Sequence, residues 1–91
     1  MASSVKIRVF GVVQGVNYRT STKAKAQELG LCGTVRNEPD GSVYIEAEGT
    51  AAQIEELTEW CKQGPALAKV ERVDVEEGEV KNLKWFEVVR F

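Results

Sequence analysis

The sequence predicts an α+β sandwich of two layers: two helices packed on one face of an antiparallel sheet of four to five strands. Three observations predict it. Apolar and polar residues alternate over several short segments, apolar residues recur at helical spacing over two longer ones, and glycine- or proline-bearing turns separate the segments. The order that results is strand, helix, strand, strand, helix, strand, strand.

Residues 5–10, Val-Lys-Ile-Arg-Val-Phe, alternate and read as a half-buried strand with Val5, Ile7 and Val9 on one face. From Asn17 to Leu29 the spacing turns helical, and Tyr18, Thr22, Ala26 and Leu29 form one stripe. Gly30 is placed to end that helix in the left-handed region. Leu31–Glu38 and Ser42–Glu48 read as two strands of a hairpin joined by Pro39-Asp40-Gly41, where proline presets φ and Asp-Gly tolerates positive φ. Thr50 and Gln53 form a capping box ahead of a stripe of Ile54, Leu57 and Cys61 with Trp60 beside it, and Gly64-Pro65 ends that helix. Val70, Val73 and Val75 mark a fourth strand and Leu83–Phe91 a fifth. Trp60 and Trp85 read as core or partly buried aromatics. The run Glu76-Glu77-Gly78-Glu79 reads as a solvated loop. This is the ferredoxin-like order with one added strand.

Ninety-one residues suggest a single domain, 1–91, and a chain of this size buries about 60–70% of its unfolded surface, enough for one core. No basic segment followed by an apolar one marks a signal peptide, and no apolar run approaches the ~20 residues of a membrane span. Two cysteines, Cys32 and Cys61, are too few for a disulfide scaffold, so free thiols in a reducing, cytoplasmic setting are expected. The chain has no histidine, which removes Ser-His and Cys-His nucleophiles and histidine-containing zinc sites. Charge is uneven. The first forty residues carry six Lys or Arg against three Asp or Glu, and the remainder six against eleven. A positive N-terminal half suits a small anionic ligand better than nucleic acid, which calls for a broader basic patch.

The stretch that could take such a ligand is residues 11–19, Gly-Val-Val-Gln-Gly-Val-Asn-Tyr-Arg. A strand enters it and a helix leaves it. Gly11 and Gly15 permit backbone conformations closed to other residues. Successive amides in such a turn can converge on an anion, the first helical amides add to them, and Arg19 can return its guanidinium to the same point. The pattern is neither a Walker loop nor a dinucleotide fingerprint. On the residues alone, a plain strand-to-helix turn remains open beside the anion cradle.

The same stretch resembles the acylphosphatase signature, Gly-x-Val-Gln-Gly-Val-x-aromatic-Arg. Residues 33–49, GTVRNEPDGSVYIEAEG, resemble the second block of that family, and residues 63–73, QGPALAKVERV, the segment after its second helix. The resemblance implies hydrolysis of the carboxyl-phosphate bond of an acyl phosphate, with no metal and no cofactor. It implies that Arg19 binds the phosphoryl group, that the backbone amides of Gln14, Gly15, Val16, Asn17 and Tyr18 complete the cradle, and that Asn37 aims the attacking water. A carboxylate leaving group, with a conjugate acid of pKa about 4, departs without a proton donor. The expected partners are a small-molecule acyl phosphate, with inorganic phosphate or sulfate as competing anions, and neither nucleic acid nor membrane; a monomer is expected. This chain departs from the family pattern at Val12, where Lys or Arg is frequent, at Asn17, Tyr18 and Thr34, and at Glu38, whose carboxylate would repel a dianion unless it points to solvent. Two other classes stay in view: a non-catalytic phosphate-binding regulatory domain on the same fold, and an RNA-binding sheet, which would need exposed aromatics flanked by basic residues.

Overall fold

Alternation of branched apolar with charged residues sets the first strand, β1, which runs over Ser3–Val12 in the computed structural model of residues 2–90. Ile7 and Val9 are fully buried on one face, while Lys6 and Arg8 stand on the other. Helix α1 spans Tyr18–Leu29 and buries Tyr18, Thr22 and Ala26, with Leu29 packed half-buried against the same core. Thr22 is satisfied there because its hydroxyl donates to Tyr18 O at 2.8 Å. The helix stops in a Schellman arrangement: Gly30 at φ 80° donates to Gln27 O, and Leu31 N–H donates to Ala26 O.

Strands β2 (Cys32–Asn37) and β3 (Val43–Gly49) form the expected hairpin. Its turn is closed by Glu38 N–H donating to Ser42 O and Gly41 N–H donating to Glu38 O. Asp40 Oδ1 accepts from both the hydroxyl and the amide of Ser42, and these bonds hold the Asp40 carboxyl below its ordinary pKa. Helix α2 (Ala51–Cys61) begins in the expected capping box and buries Ile54, Leu57 and Cys61. Strands β4 (Lys69–Glu77) and β5 (Phe86–Val88) complete the chain.

The five strands order as β4-β1-β3-β2-β5, and both helices cover the face that carries Ile7, Val9, Val35, Val43, Ile45 and Ala47. β1 is antiparallel to β3 and β4, and β2 is antiparallel to β3. The last strand corrects the wholly antiparallel expectation, because β5 lies parallel to β2. The reason is the connection before it, which must pass from one edge of the sheet to the other. Gly78 N–H donates to Ser4 O, and the Glu48 carboxylate, on the open face, accepts from Lys81 N–H at 2.5 Å and Leu83 N–H at 3.0 Å. The connection is thereby strapped over the open face, and β5 shrinks from the expected Leu83–Phe91 to three residues, Phe91 lying outside the described residues. Two smaller readings also change. Trp85 is exposed, and Glu76 and Glu77 close β4 instead of forming a loop. Among the described residues no helix is long and apolar enough to cross a membrane.

Cys32 is half-buried and Cys61 fully buried, both as free thiols. Burial pushes the Cys61 thiol up to about 12, and the Tyr18 hydroxyl beside it lowers it by less. A folded-state pKa above the unfolded one favours the fold while the group stays protonated. Stability is therefore expected to be constant through neutral pH and to decline as pH rises from about 9 towards 12, read from urea midpoints across that range. A thiol reagent at pH 8 is expected to modify Cys32 in the native protein and Cys61 only on unfolding; equal rates at both would contradict this packing.

Candidate active site

Between the end of β1 and the start of α1, residues 13–17 make the bend. Gly15 sits at φ 74° and Asn17 at φ 66°. A Cβ on Gly15 would meet nothing within 4 Å, so glycine serves the backbone angle there and not a lack of space. Asn17 occupies the N-cap position of α1 but makes no side-chain capping bond. An N-cap in the extended region turns its side-chain oxygen onto the first amides; the left-handed Asn17 does not. The first helical bond is Ser21 N–H to Asn17 O at 3.1 Å. The amides of Tyr18, Arg19 and Thr20 precede it and carry the positive end of the helix dipole.

Gly11 does a different job from the one expected. It lies within β1 at φ 128°, where the β1–β4 register shifts, and a Cβ there would collide with Lys69 O and Glu71 N of β4. Of the two glycines, Gly15 bends the loop and Gly11 admits the neighbouring backbone.

The bend opens onto a cavity of about 270 Å³ lined by Val13, Gly15, Asn17, Tyr18, Arg19, Thr20, Asn37 and Arg90. Arg19 and Asn37 thus reach one site from α1 and from the end of β2. None of the lining residues is acidic. Of the five arginines, Arg8 and Arg36 pair with Glu38 at 3.1 and 3.3 Å, and Arg72 with Asp74 at 3.2 Å. Among the described residues, the two that line the cavity, Arg19 and Arg90, have no carboxylate partner. Asn37 Oδ1 is buried and accepts no hydrogen bond from the described residues. A larger hollow of about 700 Å³ lies along the helices, but Glu55, Glu56 and Glu59 line it, a poor match for an anion.

Of the residues expected at the site, Gly15, Asn17, Tyr18, Arg19 and Asn37 line the cavity, while the side chains of Gln14 and Val16 turn elsewhere. Val16 packs half-buried against the core, and Gln14 reaches the β2–β3 turn. Glu38 does not escape to solvent, the one condition under which its carboxylate was expected not to repel a dianion. Its carboxylate is held between Arg8 and Arg36, whose guanidiniums lie 4.6 and 4.7 Å from the Tyr44 ring centre. Those two cations cancel the repulsion that the substitution would otherwise bring, and Arg faces on Tyr44 leave no free ring for a nucleobase. Sequence reading missed Thr20 and Arg90. Thr20 follows directly from the helix start, but Arg90 needs the parallel direction of β5, which no residue pattern announced.

The family profile described as Acylphosphatase matches residues 5–88. The chain is 52% identical over 86 residues to the acylphosphatase of Acaryochloris marina, covering 94% of this chain and 92% of that one. The chain belongs to the acylphosphatase family. Another acylphosphatase, from Nocardioides, is 44% identical over 97% of this chain and 89% of its own. The solved acylphosphatase of Coxiella burnetii superposes with a TM-score of 0.94 at 40% identity, covering 97% and 93% of the two chains. The acylphosphatase of Bacillus subtilis superposes equally well at 33% identity, covering 99% of this chain and all of its own. Relatives matched over most of their length carry one activity in their names, so the chain is an enzyme of the acylphosphatase class.

Tyr18 anchors this acylphosphatase site from below. Its hydroxyl donates to Cys61 O at 2.7 Å, and its ring lies tilted by 53° against Trp60 with centres 5.5 Å apart. Burial holds the phenol well above its ordinary pKa. Tyr18→Phe removes the donor and orphans a buried carbonyl, a loss of about 1–3 kcal/mol. Urea unfolding is expected to show it as a lower midpoint, and an unchanged midpoint would mean the bond contributes nothing.

Proposed function

We propose that this chain hydrolyses the carboxyl-phosphate bond of acyl phosphates to carboxylate and inorganic phosphate without a metal ion. One observation carries the reading: a guanidinium, Arg19, and a buried amide oxygen, Asn37 Oδ1, both without a partner among the described residues, line the same small cavity. A phosphoryl dianion would complete the first, and a water hydrogen the second.

In this reading Arg19 and the amides of Gln14, Gly15, Val16, Asn17 and Tyr18 hold the phosphoryl oxygens. Arg90 adds a second cation at the rim. Asn37 accepts from the attacking water and aims it. The loose phosphoryl-transfer transition state asks for positioning and charge stabilisation more than for covalent help, and a carboxylate leaves without an acid. A chain lacking histidine can meet those demands. A single chain supplies every lining group, so a monomer suffices, and inorganic phosphate and sulfate compete for the cradle.

The test is turnover of benzoyl phosphate by chelator-treated protein. EDTA is expected to leave the rate unchanged; loss that Mg²⁺ restores would overturn the metal-free reading. Arg19→Ala is expected to lower kcat/KM by about 10³-fold or more, as removal of a phosphate-clamping arginine does, and to abolish inhibition by phosphate. Asn37→Ala is expected to lower kcat by about 10²–10³-fold with phosphate inhibition nearly intact, because water is aimed chiefly in the transition state. Phosphate binding without any turnover in the unaltered chain would instead make it an anion-binding domain.

A further inference from the structure

We propose that Gln14 is a positioning residue: its side-chain amide locks the phosphate loop to the β2–β3 turn and so sets how far Asn37 stands from the bound phosphoryl group. The proposal rests on the roles given above to the loop and to Asn37. It assigns Gln14 a task beyond its backbone amide.

Gln14 Nε2 donates both of its hydrogens, one to Glu38 O at 2.8 Å and one to Ser42 O at 2.9 Å. These two carbonyls face each other across the mouth of the turn. Each already accepts one backbone hydrogen, Glu38 O from Gly41 and Ser42 O from Glu38. A carbonyl oxygen has two lone pairs, and Gln14 takes the second on each. The fork fits only the closed turn. Among the described residues, no other hydrogen bond joins 13–17 to 37–42.

Both ends of this link matter to the site. Gly15, next to Gln14, begins the left-handed bend that carries the amides, and Asn37 immediately precedes Glu38. The turn is a firm anchor. Arg8 and Arg36 hold the Glu38 carboxylate on one side, and Asp40 Oδ1 fixes Ser42 on the other. An in-line attack by a positioned water is lost over small displacements; an error of about 1 Å can cost 10²-fold in rate. A carboxamide bridging the two halves of the site removes that freedom, while the phosphate grip, made by the loop, α1 and Arg90, does not include the β2–β3 turn.

Gln14→Met keeps the length and removes both donors. It is expected to lower kcat on benzoyl phosphate by about 10- to 100-fold while phosphate inhibition changes less than about threefold. Gln14→Asn keeps the donors but withdraws them by one methylene, and an intermediate loss is expected. It also reports if the Met variant fails to fold, as circular dichroism would show. The deciding measurement is the double variant. If Gln14 acts through Asn37, Gln14→Met costs little further rate in an Asn37→Ala background. Equal fold-losses in both backgrounds, a parallel loss of phosphate affinity, or normal kcat in both Gln14 variants would overturn the proposal. A normal rate in Asn37→Ala alone would instead overturn the role of Asn37, which separates the two failures.

Discussion

The site depends on strand direction. β1 and β2 both run antiparallel to β3 and flank it, so they run parallel to each other and finish at the same end of the sheet. Val9 and Asn37 both pair with Val43, one from each side. Neighbouring strands lie about 4.8 Å apart, so the loop leaving β1 and the last residue of β2 are separated by a single strand. β5 is parallel to β2 and delivers Arg90 to that end as well. The bend, Asn37 and Arg90 converge on one cavity because three strands point the same way. Had β5 run antiparallel to β2, Arg90 would sit at the opposite end of the sheet, where β2 begins at Cys32.

Given that convergence, the basic lining of the cavity follows from which charges are paired. Outside the cavity the structure matches guanidiniums to carboxylates; inside it does not. Glu38 illustrates the sorting. Adjacent to Asn37, it would be the worst neighbour for a dianion, yet two arginines stacked on Tyr44 neutralise it and hold it. Ion pairs this close to the surface contribute little to stability. Their effect is on charge balance, because the acid next to Asn37 is already claimed by two cations.

Most of the fold was legible because it rests on local patterns. The stripe Tyr18, Thr22, Ala26, the stripe Ile54, Leu57, Cys61, the Thr50–Gln53 cap and the Pro39-Asp40-Gly41 turn each depend on residues close in sequence. Arg19 and Asn37 were legible through a resemblance, and the structure brings them to one cavity. What stayed hidden depends on long-range pairing. The direction of β5 is set by a connection bound to Glu48, a residue that in sequence is one more acid at the end of a strand. Gly11 looked like part of the cradle because its neighbour across the sheet, β4, is distant in sequence. Gln14 reads as one more loop residue until the turn it grips is in place.

Asn17 shows what the site costs the helix that carries it. The left-handed region is strained for a residue with a side chain, though less for Asn than for most, and Asn17 forgoes a capping bond of about 1 kcal/mol. An ordinary cap there would stabilise α1 and occupy the amides an anion needs. The strain is offset directly below the bend, where Tyr18 is tied to Cys61 O, packed on Trp60 and crowded by Gly64, at which a Cβ would come within 2.6 Å of the Tyr18 ring. The start of α1 is therefore held by a side chain reaching into the core and not by a cap at its tip. That arrangement keeps the helix in place while its first amides stay free of a side-chain cap.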